Sequence, residues 1–421
     1  MPAQLVGLLL GTEEDWPTAF EELVRRLGPI RWGGEEHELR TERIVNEPFD
    51  LRYEPRYSLV IDRLAWWYDL PRAWLKKVAL MDDVYLLNNP FTFQSMEKHS
   101  AYCAMLRLGL KVPETWLIPH KVPTPIAQFE YMAEKFPDVA SRYNAAFDIG
   151  DIGSRVGYPL FMKPFDGGQW VGVSRVGSAE ELRRTYDESG ERMMHLQAAV
   201  EDFDVFARSL SIGPETMVMR FEPDRPIHDR YQVAHGFLTP QLGWEVVTIS
   251  KLVNAFFRWE FNSCETIVKD GVAAPIDYAN ASPDVALTSL HYYFPWAIRA
   301  LVRWSAFCVV TRRAMRVDLD THTYFAVGDR DDLSYDDKLR EYRRISDAYF
   351  ESARYEEFIT ETIGRLDEIC LEYFESPEFD ALLVDTVRTT FPAHEHEQFV
   401  AHYRGLVGAW TVDQRGARRP G

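Results

Sequence analysis

Cysteine is scarce: Cys103, Cys264, Cys308 and Cys370 are the only four in 421 residues, and no two form a C-x-x-C pair. That excludes a disulfide framework and a zinc ribbon, and it suits a reducing cytoplasm. Long apolar runs are missing as well. Residues 5–10 are apolar but run straight into Gly-Thr-Glu-Glu-Asp with no basic leader, so they read as a first core strand rather than a signal peptide. No run reaches the length that spans a bilayer. Basic residues are outnumbered, 47 against 65 acidic ones, and the net charge of −18 argues against nucleic acid or an anionic membrane as partner. Any phosphate site must therefore be locally basic. Neither G-x-x-x-x-G-K-[ST] nor G-x-G-x-x-G occurs, which removes the standard nucleotide cradles, and no internal repeat is evident.

What is present is an ordinary globular composition, 46% apolar with 12 Trp, 20 Tyr and 25 Phe, in a chain too long for one compact core. Over residues 1–112, strand-like runs at 5–10, 57–63 and 83–90 alternate with helical patterns, including Trp16, Phe20, Leu23, Val24 and Leu27 at steps of three and four. That alternation predicts a parallel α/β domain. Residues 113–289 read as α+β, with a mostly helical stretch to about residue 153 and strands near 158–163, 170–176, 206–212 and 216–222. Residues 290–421 read as a helical appendage, and the tail from Asp413 as disordered.

Three stretches carry chemistry. In "YPLFMKPFDGGQWVGV" an apolar strand ends on Lys163, where an unpaired ammonium would be costly. Gly167, Gly168 and Gly172 follow, and without a Cβ they let backbone N–H groups approach an anion. The bland alternative is a glycine hairpin with Lys163 as a rim charge. Lys98 begins a helix expected over 95–108, where a cation is electrostatically unfavourable unless it meets an anion. In "FNSCETIVKDGVAAPIDYANASPD" the Asp270-Gly271 turn predicts a hairpin that sets Glu265 nearly opposite Asp277. Two carboxylates that close share a proton or a cation, and with Asn280, and Asn262 as a further donor, they make a hard oxygen site suited to Mg²⁺.

In this order these stretches, with "HLQAAVEDFDVFARSLSIG" between them, resemble the ATP-grasp superfamily, in particular its glutathione-synthetase-like carboxylate–amine ligases. The resemblance covers roughly residues 1–290. It implies an ATP-grasp fold preceded by a parallel α/β domain, with Lys98 and Lys163 on the nucleotide's phosphates beneath the loop of Gly167 and Gly168. It further implies adenine at the hinge Gln197 to Val200, ribose on Asp204 with Glu201 as competitor, and Arg208 facing the reacting phosphate or acyl group. Glu265, Asp277 and Asn280 would hold Mg²⁺. The spacing from Asp204 to Arg208 is longer than the family's, and so is the separation of the metal ligands.

The activity implied is ATP-dependent joining of a small-molecule carboxylate to an amine through an acyl-phosphate, releasing ADP and phosphate. A small-molecule kinase and a catalytically inactive nucleotide-binding module are the alternatives. Arg220, Arg258 and the surroundings of Trp170 are candidates for the acceptor pocket. The run 394–397 with His402, and Asp318, Asp320 and His322, read as solvated polar groups. The aromatic stretch 291–307 reads as core or as an interface, which leaves a homodimer open.

Overall fold

The structure, a computed structural model, describes residues 4–92, 97–121, 147–168 and 170–417. Strand β1 (Gln4–Leu9) buries successive residues on both faces, as a strand covered on each side must. After it come a small antiparallel pair, β2 (Ile30–Trp32) and β3 (Glu35–His37), then β4 (Leu39–Arg43), β5 (Tyr57–Asp62) and β6 (Tyr85–Leu87). The parallel sheet runs in the order β4-β1-β5-β6.

The first helix spans Asp15–Leu27 and buries Trp16, Phe20, Leu23, Val24 and Leu27, the face expected from their spacing. That face packs against helices Phe294–Val310, Leu366–Phe374 and Pro377–Thr390, so the C-terminal helices share a core with the first helix instead of standing off as an appendage. Arg26 lies 5.0 Å above the Tyr373 ring at this contact. The aromatic stretch is core: in helix Phe294–Val310 every residue but Arg303 is buried. The tail departs from expectation, because helix His396–Ala417 continues through Asp413, with Arg415 held by Glu375. Among the described residues no helix is long and apolar enough to cross a membrane.

Two antiparallel sheets follow. The first contains β7 (Thr115–Ile118), β8 (Leu160–Pro164), β9 (Ser174–Val176) and β10 (Met194–Ala198), in the order β7-β10-β8-β9. Leu160, Met162, Met194 and Leu196 point to one face and pack with Leu182 and Tyr186 of helix Ala179–Ser189, leaving Lys163, His195 and Gln197 on the other. The strand expected from residue 170 begins only at Ser174, because the glycine loop takes up the residues before it. The helix expected from residue 95 is His99–Arg107. Of the mostly helical stretch to residue 153, residues 122–146 lie outside the described residues.

The second antiparallel sheet has β11 (Val205–Ile212), β12 (Glu215–Phe221), β13 (Tyr231–Gln232), β14 (Phe261–Lys269) and β15 (Val272–Ala281), in the order β13-β12-β11-β14-β15. Helix Pro240–Phe257 covers its back. The β14–β15 turn has φ +50° at Asp270 and +75° at Gly271, the left-handed pair that a tight hairpin needs.

Candidate active site

Strand alternation delivers Lys163 to the face of the first antiparallel sheet opposite Leu160 and Met162. Its Nζ donates to Gln197 Oε1 at 2.6 Å, and Gln197 Nε2 donates to Thr115 Oγ1 at 2.9 Å, so one chain of side-chain bonds crosses β8, β10 and β7. Burial lowers the pKa of Lys163, and the nearby carboxylates of Asp277 and Glu265 oppose that shift.

Lys98 stands just before helix His99–Arg107. Its backbone N–H donates to Phe165 O at 3.1 Å, its Nζ donates to Gly167 O, and the same ammonium lies 3.7 Å from Asp277 Oδ2. One side chain thus connects the glycine loop to the β14–β15 hairpin. The loop needs its glycines: Gly167 has φ +91° and Gly172 φ +76°, where a side chain is strained. Trp170 also has a positive φ, +62°.

The hairpin register pairs Glu265 with Asp277 and Ser263 with Asn280, with shifts on either side of Glu265. On the other flank of β14, Arg208 of β11 faces Glu265, its Nη1 3.7 Å from Oε1 and its Nη2 donating to Ser263 Oγ at 3.3 Å. The Arg208 Nε is buried and has no partner among the described residues. Burial raises the pKa of Glu265, Arg208 opposes this, and Asp277 adds to it. A cation between the two carboxylates would relieve that repulsion.

The donors fit Mg²⁺. Among the described residues no three His, Cys, Asp or Glu side chains converge, so the protein offers two carboxylates and the Asn280 amide, all hard oxygen donors. Mg²⁺ favours such a partial set and completes its shell with water and phosphate oxygens. Asn262 does not join them. It is fully buried, with Nδ2 donating to Asn254 Oδ1 at 2.7 Å and Tyr278 O at 3.0 Å, and it fastens β14 to the helix behind.

Other expected residues are placed differently. Asp204 is exposed, and its Oδ2 accepts the Asp270 N–H at 2.9 Å, so it caps the β14–β15 turn. Glu201 pairs with Arg175. At the hinge, Ala198 N–H donates to Glu114 O at 2.9 Å and Ala199 N–H to Pro159 O at 3.2 Å, while Val200 packs on the main core. Arg258 is no pocket residue: it is buried, donates to Asp318 O at 2.8 Å and lies 4.4 Å from the Tyr349 ring centre. Arg220 is paired with Glu222 at 2.9 Å.

Sequence reading missed His195, which sits opposite Lys163 in the β10–β8 ladder, and its neighbours His99, Tyr102 and Phe165. The signal was available, since His195 lies two residues before Gln197 and must share its face. Together Lys98, Lys163 and Arg208 outnumber Glu265 and Asp277, a locally cationic site in an acidic chain.

No family model matches this chain, and no curated protein matches it. Among solved structures, a RimK domain ATP-grasp protein from Sphaerobacter thermophilus is similar at 13% identity and a TM-score of 0.48, over 72% of this chain and 99% of that one. A D-alanine–D-alanine ligase from Bacillus anthracis complexed with ATP is similar at 12% identity and a TM-score of 0.44, over 73% and 99%. An ATP-grasp ligase from Chryseobacterium gregarium, in complex with ADP and a leader and core peptide, is similar at 11% identity and a TM-score of 0.48, over 75% and 98%. The functional reading rests on the geometry above.

Proposed function

We propose that this chain is an ATP- and Mg²⁺-dependent ligase that activates a small-molecule carboxylate as an acyl-phosphate and joins it to an amine, releasing ADP and phosphate. The observation that carries the reading is the meeting of Lys98, Lys163 and Arg208 with the Glu265–Asp277 pair, beside a glycine loop already tied to Lys98. Lys98 and Lys163 bind the polyphosphate, Lys98 exchanging the Gly167 carbonyl for a phosphate oxygen. Lys163 is held in place by Gln197 and is only partly solvated, so its charge acts through a low dielectric. When bound, Mg²⁺ on Glu265, Asp277 and Asn280 supplies charge neutralisation at the phosphoryl oxygens.

A carboxylate oxygen of the substrate attacks the γ-phosphorus, the bond to the bridging oxygen breaks, and ADP leaves. The amine nitrogen then attacks the acyl carbon and loses a proton, and phosphate departs. Arg208, whose Nε has no partner among the described residues, stabilises the oxyanion of that second step. Residues 165–172 close over the acyl-phosphate and keep water from it.

The test is ADP release in the presence of acid and amine panels, with hydroxylamine as trap. Formation of a hydroxamate that requires ATP and the acid supports the reading. Phosphorylation of a hydroxyl compound with no need for an amine makes the protein a kinase, and nucleotide binding without any turnover makes it a binding module.

A further inference from the structure

Beside the two lysines lies a histidine pair that the reaction above does not use. His195 is 1% exposed and faces Lys163 across the β10–β8 ladder. His99 comes from the first turn of the helix that Lys98 precedes. His195 Nε2 and His99 Nδ1 are 3.3 Å apart, and the rings are stacked with centroids at 5.5 Å and an interplanar angle of 20°. Phe165 stacks on His195 at 5.9 Å, and the Tyr102 ring meets it edge-on at 5.3 Å. The Tyr102 hydroxyl is spent on Ile276 O, so it offers nothing to the imidazole. His195 Nδ1 is buried and has no partner among the described residues.

Two imidazoles joined nitrogen to nitrogen can share one added proton, provided that nearby charge permits and the outer nitrogen of the charged ring finds an acceptor. The groups around this pair are Lys163 on β8, Lys98 at the helix start, Asp277 and Glu265 on the hairpin, and Cys103, whose Sγ is 3.5 Å from His99 Nε2 with Glu97 beyond it. Burial first, then His99, Lys163 and Lys98, push His195 down to about 3, with Asp277 opposing them. An oxyanion seated on the lysines reverses both conditions at once. It offsets their field, and it brings acceptor oxygens to the face that His195 shares with Lys163.

We propose that the His99–His195 pair takes up one proton when a nucleotide's phosphates dock on Lys98 and Lys163, so that nucleotide affinity is set by pH. The proposal rests on the nucleotide reading of the site. The sign follows from linkage: the pair binds more protons with the nucleotide present, so raising pH through the neutral range weakens binding, by at most about tenfold per pH unit.

The experiment is calorimetric titration of the protein with ATP and excess Mg²⁺ in buffers of differing ionisation enthalpy, at about pH 6 and pH 8, for wild type, His99→Gln and His195→Gln. Proton exchange by the nucleotide itself is common to all three and subtracts out. Expected is uptake of about one more proton by wild type than by His99→Gln at the lower pH, with both proteins binding. His99 is partly exposed, so that variant serves even where His195→Gln fails to fold. Equal proton counts in wild type and His99→Gln overturn the proposal and leave the nucleotide reading standing. Absence of any binding by wild type overturns both.

Discussion

Two glutamates five residues apart on the same stretch of chain show how differently a buried carboxylate can be kept. Glu260 is 3% exposed and accepts from Tyr85 Oη at 2.6 Å, Trp304 Nε1 at 2.9 Å, Arg313 Nη1 at 2.8 Å and the Tyr349 hydroxyl. Its donors come from the first sheet, helix Phe294–Val310, the segment after it and helix Tyr335–Tyr349, so one carboxylate binds four regions together. Glu265 is 8% exposed, yet its cation, Arg208, stands 3.7 Å away, beyond hydrogen-bond distance, and another acid faces it. A buried carboxyl group that serves the fold has its lone pairs filled by the protein. Glu265 is left short of donors, which is the state expected of a group waiting for a ligand.

The largest effect should separate these two. Glu260→Ala takes the partner of Arg313 Nη1 and leaves three buried neutral donors unpaired, and should lower unfolding free energy in urea by about 3–5 kcal/mol. Glu265→Gln removes one of two facing acids and should stay within about 1 kcal/mol of wild type, or exceed it. Equal costs would break the comparison.

Next comes Lys163→Ala, which should weaken ATP binding by roughly tenfold to a hundredfold, the worth of one or two charge-assisted bonds, with little change in melting temperature. A large loss of stability with unchanged affinity would make Lys163 a Gln197 partner and nothing more.

A pH effect on the fold should follow. Burial holds His291 at about 4 and His195 at about 3, both below the ordinary 6.5. Their neutral forms are the folded ones, so the stability they contribute is complete above about pH 6.5 and is lost as pH falls toward those values. Each should cost up to about 1.4 kcal/mol per pH unit in that window. Thermal melts at pH 7 and pH 5 should show the drop, and His291→Gln should flatten it.

The smallest effect concerns Asp204. Asp204→Asn weakens the cap on the Asp270 N–H and should cost about 0.5–1.5 kcal/mol, with ATP affinity unchanged. A clear fall in affinity would return the ribose contact to Asp204.

What was legible in the sequence was whatever a local rule determines. Asp270-Gly271 sets a two-residue turn, and counting from it brings Glu265 within one position of Asp277, the last step coming from a register shift beside Glu265. Apolar alternation around Met162 places Lys163 on the far face of its strand. What was hidden depended on partners distant in sequence. That Asp204 caps the Asp270 N–H, 66 residues away, is a contact no local pattern shows. Asn262 looked like an oxygen donor, but a buried amide takes whatever donors and acceptors the core presents, here Asn254 and Tyr278. The C-terminal helices read as an appendage because their apolar faces say only that they are buried, and the surface that buries them, helix Asp15–Leu27, lies at the other end of the chain.

The most direct measurement is calorimetric titration of wild type and Glu265→Gln with ATP, each with and without Mg²⁺. The account predicts that wild type binds ATP more tightly with Mg²⁺ and that Glu265→Gln binds without that gain. No detectable binding by a folded wild type, in either condition, would contradict it, and the lysines, the glycine loop and the acidic hairpin would then be parts of the fold alone.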